Sequence, residues 1–271
     1  MPTYIQGFGF IILRVTGAAL LFWTASLAFK NEKVNWKKHG RRFLLCSLFG
    51  VAANMLMFFK GLEITTPING AVLMLATPIF VFLLNVFINK QAVVVSQVLG
   101  ILLACLGCLW LMSGNQFKFS SVTVTGDILI VFNAISYAFY LVLARDLLKE
   151  YHMMTVSKYT FSIGSLMVIP FGWQELSNAH FSAMSTEIVL KIVFVIVFTT
   201  FITYLLNAWA IHKAGPTLVG AYIYLQPILA TIIAIILQKD TLTMHKILST
   251  LLIFAGVYIT SSKLKWHKSK A

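Results

Sequence analysis

The chain has 271 residues, of which 59% are hydrophobic and 11% charged. A water-soluble domain carries about 25% charged residues, so there is too little polar surface here to coat a globule, and a mean hydropathy of +0.87 agrees. Disordered, collagen-like and disulfide-rich classes are excluded as well, which leaves an integral membrane protein. The net charge of +13 is no nucleic-acid footprint, because the basic residues are scattered between apolar runs. No nucleic-acid partner is expected.

A bilayer core of about 30 Å takes roughly 20 apolar residues per helix. Nine stretches qualify in chain order: 5–29, 43–60, 67–88, 93–113, 124–145, 155–174, 189–211, 216–237 and 244–262. The first is no cleavable leader, since it lacks a basic n-region, is too long and holds Arg14. Arg14 is the one charge well inside a span. Its insertion cost of at least about 2.5 kcal/mol directs it to protein or water, as a structural ion pair with Glu63 or a carbonyl contact, or else as a contact for a substrate anion. The second span carries Asn54, and the third carries Asn69 and Thr77 on one face between Pro67 and Pro78. In the fourth, Gly100, Ala104, Gly107 and Cys108 make a small-residue stripe suited to close helix packing, within the chain or in a homodimer. The fifth stacks Asn133, Tyr137 and Tyr140, and the seventh Thr199, Thr203 and Asn207 beside Tyr204. The eighth pairs Tyr222 with Gln226 next to Pro227, whose missing N–H is expected to free a carbonyl one turn earlier. The ninth repeats the small residues as Ser249, Gly256 and Thr260, with Ile253 interrupting.

Basic residues mark the cytoplasmic side. Alternate connections divide them fifteen to five, the larger group holding 30–42, Lys90, 145–158, Lys213 and the tail after 262. This predicts a cytoplasmic C-terminus and, for nine spans, an external N-terminus in the plasma (inner) membrane. The basic stretch 30–42 and the tail read as flanks attracted to anionic headgroups.

Enzyme chemistry is thin. There is no HExxH, GxSxG or P-loop. Cys105 and Cys108 sit inside an apolar helix without a second ligand pair, so packing is the better reading. The histidines fall at span ends, Glu63 and Asp127 lie at outer ends, and no carboxylate is placed mid-membrane, where a proton relay usually needs one. No metal and no cofactor are expected.

The chain also repeats itself. A shift of 149 residues brings 61–113 onto 210–262 without a gap, pairing Pro67 with Pro216, Pro78 with Pro227, Lys90 with Lys239 and Gly107 with Gly256. The paired prolines are expected to start a span and to bend it midway. The same shift maps 155–174 and 189–211 onto the first two spans but leaves 124–145 unmatched. The expected domains are a first repeat over 1–115 with four helices, a second over 124–262 with five, and a basic tail 263–271. Units of five helices sit upside down relative to each other, as in inverted-repeat secondary transporters.

GLEITTPINGAVLMLATPIFVFLLNVFINK followed by ILLACLGCLWL, and AGPTLVGAYIYLQPILATIIAIIL in the second copy, resemble the EamA-like branch of the drug/metabolite transporter superfamily. Arg14 stands where that family has an Arg in its second helix. The resemblance covers essentially the whole chain and implies an all-α fold of ten spans with cytoplasmic termini that moves small metabolites, often outward. Measured against it, nine spans of ten are seen, and the expectation is that Met1 is an internal start preceded by about 25–30 residues forming the first helix.

The leading expectation is a secondary transporter, an exporter of a small polar or amphipathic metabolite working by alternating access. Its rivals are a membrane-embedded enzyme, a non-transporting membrane protein and an inactive truncated transporter. The polar stripes nominate a neutral, aromatic-rich cavity near the midplane formed by Asn54, Asn69, Thr77, Asn133, Tyr137, Tyr140, Thr203, Tyr204, Asn207, Tyr222 and Gln226. Interhelical hydrogen bonding is the plainer alternative for each residue.

Overall fold

A computed structural model describes residues 4–29, 32–113, 123–238 and 241–261. These form nine helices: α1 Gly7–Ser26, α2 Trp36–Ile64, α3 Pro67–Asn89, α4 Val95–Met112, α5 Val124–Glu150, α6 Met153–Ser177, α7 Thr186–Ala214, α8 Pro216–Ile236 and α9 Met244–Ser261. All but α6 are long and apolar enough to cross a membrane by themselves. The exception, α6, buries one face and exposes Leu166, Phe171 and Trp173 on another. Lys158 is buried in it, with its ammonium 4.4 Å from the centre of the Trp23 ring and 5.1 Å from that of Tyr159. Cation–π contact replaces part of the hydration that this charge loses.

Two helices are longer than the sequence suggests. The basic stretch before residue 43, expected as a connection, is already helical from Trp36, and the Asn35 side chain caps it by accepting from Lys38 N–H. Helix α5 continues past 145 to Glu150. The start of α1 has no cap of its own. Glu175 of α6 supplies one, accepting from the Phe8 and Gly9 N–H groups at 2.7 and 2.9 Å, where free donors and the helix dipole favour a carboxylate.

The internal repeat is visible in the helix boundaries. Helices α3 and α4 begin at Pro67 and Val95, and α8 and α9 begin 149 residues later at Pro216 and Met244. Repeat mates pack against each other head to tail. Gly9 near the start of α1 meets Glu175 and Leu176 at the end of α6, and Trp23 near its end donates to Ser162. Gly100 early in α4 meets Thr260 late in α9, and Gly107 meets Ile253 and Ser249. The small-residue stripe is thus spent within the chain. Ile253, the apparent interruption, is the fully buried knob that Gly107 receives.

Regular helix breaks at matching places in the two halves. Helix α3 turns between Met74 and Thr77, just before Pro78, with Leu75 and Ala76 N–H groups bonding three residues back. Helix α8 tightens into a 3₁₀ stretch, Tyr222–Leu225, just before Pro227. That tightening corrects the free-carbonyl expectation: the Gln226 N–H bonds the Ile223 carbonyl, so the proline leaves that group satisfied. Pro67 and Pro216 start their helices as expected, at a position where a missing N–H costs nothing.

Helices α2 and α7 each widen into a π-helical stretch, Leu48–Ala52 and Val195–Ile202. Such stretches leave carbonyls short of helical donors, and side chains supply them. Ser136 donates to the Phe49 carbonyl at 2.8 Å and Tyr204 to that of Gly50 at 3.1 Å. Thr200 and Thr203 donate to carbonyls five residues back at 2.9 and 2.8 Å.

Two measurements check this packing. A Cβ on Gly256 would run into the Ala104 backbone nitrogen, so Gly256→Ala is expected to cost about 1–3 kcal/mol and to lower the melting temperature in detergent. Leu251→Ala, on the exposed face of the same helix, should barely move it. Tyr204→Phe is expected to cost about 0.6 kcal/mol, the usual worth of an interhelical hydrogen bond in a membrane. Tyr204→Leu should cost more, because it also loses ring contacts with Phe161 and Tyr140 at 4.8 and 6.1 Å.

Candidate functional site

Between the halves lies a cavity of about 590 Å³. Helices α2, α3 and α4 line one side through Phe58, Leu62, Gly70, Ala71, Met74 and Leu111, and α8 and α9 the other through Ile223, Gln226, Ala230, Thr231, His245 and Lys246. The breaks in α3 and α8 shape it. Met74 and Leu75 lie at the first break and Ile223, Gln226 and Pro227 at the second, where the chain bends around the space. Its lining extends toward the end of the bundle where α4 finishes and α9 starts, at Met112 and His245. Its walls are mostly aliphatic, with Met74, Met112 and Phe58 among them, and Gln226, Thr231, His245 and Lys246 supply the polar groups.

The opposite end is closed by polar side chains. Asn85 near the end of α3 donates to Thr217 at the start of α8, 3.0 Å away across the two halves. Asn89 donates to Asn85 at 2.7 Å, and Arg145 of α5 donates to Gln91 at 3.3 Å. His212 of α7 meets the Leu148 carbonyl at 2.7 Å.

The residues nominated from sequence fall in several places. Gln226 lines the cavity and Asn69 sits beside it, one residue before Gly70. The Asn69 carboxamide donates to Asp127 at 3.3 Å, and Thr65 bonds the same carboxylate oxygen. Asp127 is only 7% exposed, so it ties the α2–α3 turn to α5. Asn54 and Asn133 clamp α2 to α5 reciprocally, the Asn133 amide reaching the Asn54 carbonyl at 2.7 Å and the Asn54 amide the Asn133 carbonyl at 3.5 Å. Asn207 donates to the Tyr137 hydroxyl, and Tyr137, Tyr140 and Tyr204 form one run of rings 6.0 and 6.1 Å apart. Thr77 is fully buried at the α3 break. Thr203 is exposed on the outer face of α7, and Tyr222, 51% exposed, is not among the residues that line the cavity with Gln226. The 3₁₀ turn changes the register, which undoes an i, i+4 pairing.

Arg14 does not reach Glu63. Its Nε donates to Thr200 Oγ1 at 2.7 Å and its Nη2 to the Thr199 carbonyl at 3.4 Å, inside the π stretch of α7. Glu63 pairs with Lys60 at 2.9 Å. The aliphatic cavity wall and the Asn85–Gln91–Arg145 closure were missed from sequence. Neither gives a pattern there: apolar residues line every span, and the closure joins three distant segments. Among the described residues no group of three or more His, Cys, Asp or Glu side chains could hold a metal.

The EamA-like transporter family model matches residues 1–113 and again 124–262. An uncharacterized transporter of Archaeoglobus fulgidus is 25% identical over 97% of this chain and 88% of its own length. The uncharacterized transporter YyaM of Bacillus subtilis is 25% identical over 88% and 78%, and a WAT1-related protein of Arabidopsis thaliana 23% over 84% and 73%. A solved crystal structure at 17% identity superposes with a TM-score of 0.78 over 95% of this chain and 89% of that one, which shows a shared fold. With both repeats matched and the cavity between them, this chain belongs to the EamA-like transporter family, as an integral membrane transporter and not an enzyme.

Proposed function

We propose that the protein is a secondary transporter of a small amphipathic metabolite, an exporter that works by alternating access, and that the cavity between the halves is its substrate site. The observation that carries the reading is the cavity's asymmetry: its lining runs toward one end of the bundle, which on this reading is the open end, while a side-chain lattice joins the halves at the other. The open end is the one with few basic residues, which the positive-inside rule places outside. On this reading the C-terminus is cytoplasmic and the conformation faces outward. The two halves, 1–115 and 124–262, are the bodies that rock against each other, and the breaks at Pro78 and Pro227 are where α3 and α8 flex.

A volume of about 590 Å³ suits a small molecule. Aliphatic walls favour an apolar body, and the Gln226 amide both donates and accepts, so it recognises a neutral polar group. The His245 and Lys246 side chains at the mouth favour release or entry of a molecule carrying a carbonyl or anionic end. The nominated polar residues then divide by role. Gln226 serves the substrate, whereas Asn54, Asn69, Asn133, Tyr137, Tyr140, Tyr204 and Asn207 hold the helices that frame the site.

Reconstitution in liposomes with a metabolite panel tests the reading, with transport of at least one amphipathic metabolite expected and none by protein-free vesicles. Gln226→Leu is expected to weaken apparent substrate affinity about three- to tenfold, the worth of one neutral hydrogen bond, with little change in melting temperature. Ala71→Trp should fill the cavity and stop transport while the protein still melts cooperatively. Full transport in both variants would reject this cavity as the substrate site.

A further inference from the structure

A second cleft, of about 440 Å³, lies at the closed end of the bundle, between the first turns of α2 and the end of α5. Lys38, His39, Arg41 and Arg42 line it with Leu45, Leu143 and Glu150. The sequence dictates the grouping: at i, i+1, i+3 and i+4, these four side chains share one side of the helix. Two carboxylates answer part of the charge. Glu150 lies 3.2 Å from Lys38 and 2.9 Å from His39, and Asp146 lies 3.2 Å from Arg42 and 2.8 Å from Lys149. Among the described residues no carboxylate is within ion-pair reach of Arg41. With His39 neutral, the cleft wall keeps a net positive charge.

Its depth in the membrane is fixed by the same turn. Trp36, 46% exposed, precedes the cations, and exposed Leu44 and Leu48 follow them. This is the order of a membrane interface: aromatic anchor, charged headgroup layer, then hydrocarbon. An Arg guanidinium matches a phosphate with two parallel donors. A phosphate seated beside Arg41 would have acyl-facing leucines directly below it, which a free anion has no use for.

We propose that this cleft binds the phosphodiester headgroup of an anionic phospholipid, with Arg41 as the main cation, Lys38 at its flank and the acyl chains lying along Leu44 and Leu48. The site is separate from the substrate cavity and does not depend on how that cavity is used.

Lipid nanodiscs of phosphatidylcholine alone, or with phosphatidylglycerol, test it. Native mass spectrometry is expected to show phosphatidylglycerol retained over phosphatidylcholine, and the melting temperature should rise with its fraction. Arg41→Gln should weaken that retention about fivefold, the worth of one basic residue at the surface, and leave melting in pure phosphatidylcholine unchanged, since it breaks no internal ion pair. Lys191→Gln, an equal change of charge elsewhere, should retain the lipid as the wild type does. Equal retention of the two lipids by the wild type overturns the proposal whatever the variants do. So does an Arg41→Gln protein that keeps the preference, or a Lys191→Gln protein that loses it equally. Inorganic phosphate in phosphatidylcholine discs should not raise the melting temperature; if it reproduces the full rise, the ligand is a free anion and the lipid assignment fails.

Discussion

In hydrocarbon a backbone carbonyl without a donor costs several kcal/mol, so a membrane protein can depart from regular helix only where something else fills the gap. Among the described residues the helices depart four times, in α2, α3, α7 and α8, and each departure comes with its own remedy. The π stretches are met by Ser136, Tyr204, Arg14 and nearby threonines. The breaks in α3 and α8 close on themselves through bonds three residues back. The cavity exists because two broken helices face each other, and they stay in place because the remedies join one half to the other.

Arg14 shows why a buried charge need not be a substrate contact. Its cost in the membrane is about 2.5–3.5 kcal/mol on insertion scales. Hydrogen bonds from a charged donor are worth about 1.5–3 kcal/mol each, and Arg14 makes two, to a threonine hydroxyl and to a carbonyl in the π stretch. The two magnitudes are comparable. Arg14 therefore pins α1 to α7 at little net cost, close to where Tyr204 joins α7 to α2.

Close approach between repeat mates supplies the rest. Helices in lipid gain nothing from burying leucine against leucine, so small residues that let backbones touch decide who packs with whom. Gly100 and Gly256 bring α4 and α9 together, and Gly9 and Gly172 do the same for α1 and α6. Each pair joins equivalent helices running in opposite directions, so the halves are tied at both flanks and the cavity lies between the ties.

The spans, the repeat, the proline positions and the family were all legible in the sequence, because hydropathy and proline chemistry act locally and survive in any neighbourhood. The fate of each polar side chain was not. Asn133, Asn207 and Tyr204 share the spacing of a binding stripe, yet each reaches a neighbouring helix, because partner choice depends on which helix lies opposite. Likewise, the cavity wall of Gly70, Ala71 and Met74 is indistinguishable in sequence from lipid-facing surface. An apolar side chain bears no mark of whether lipid, protein or substrate will cover it, and only the packing of the two halves decided that.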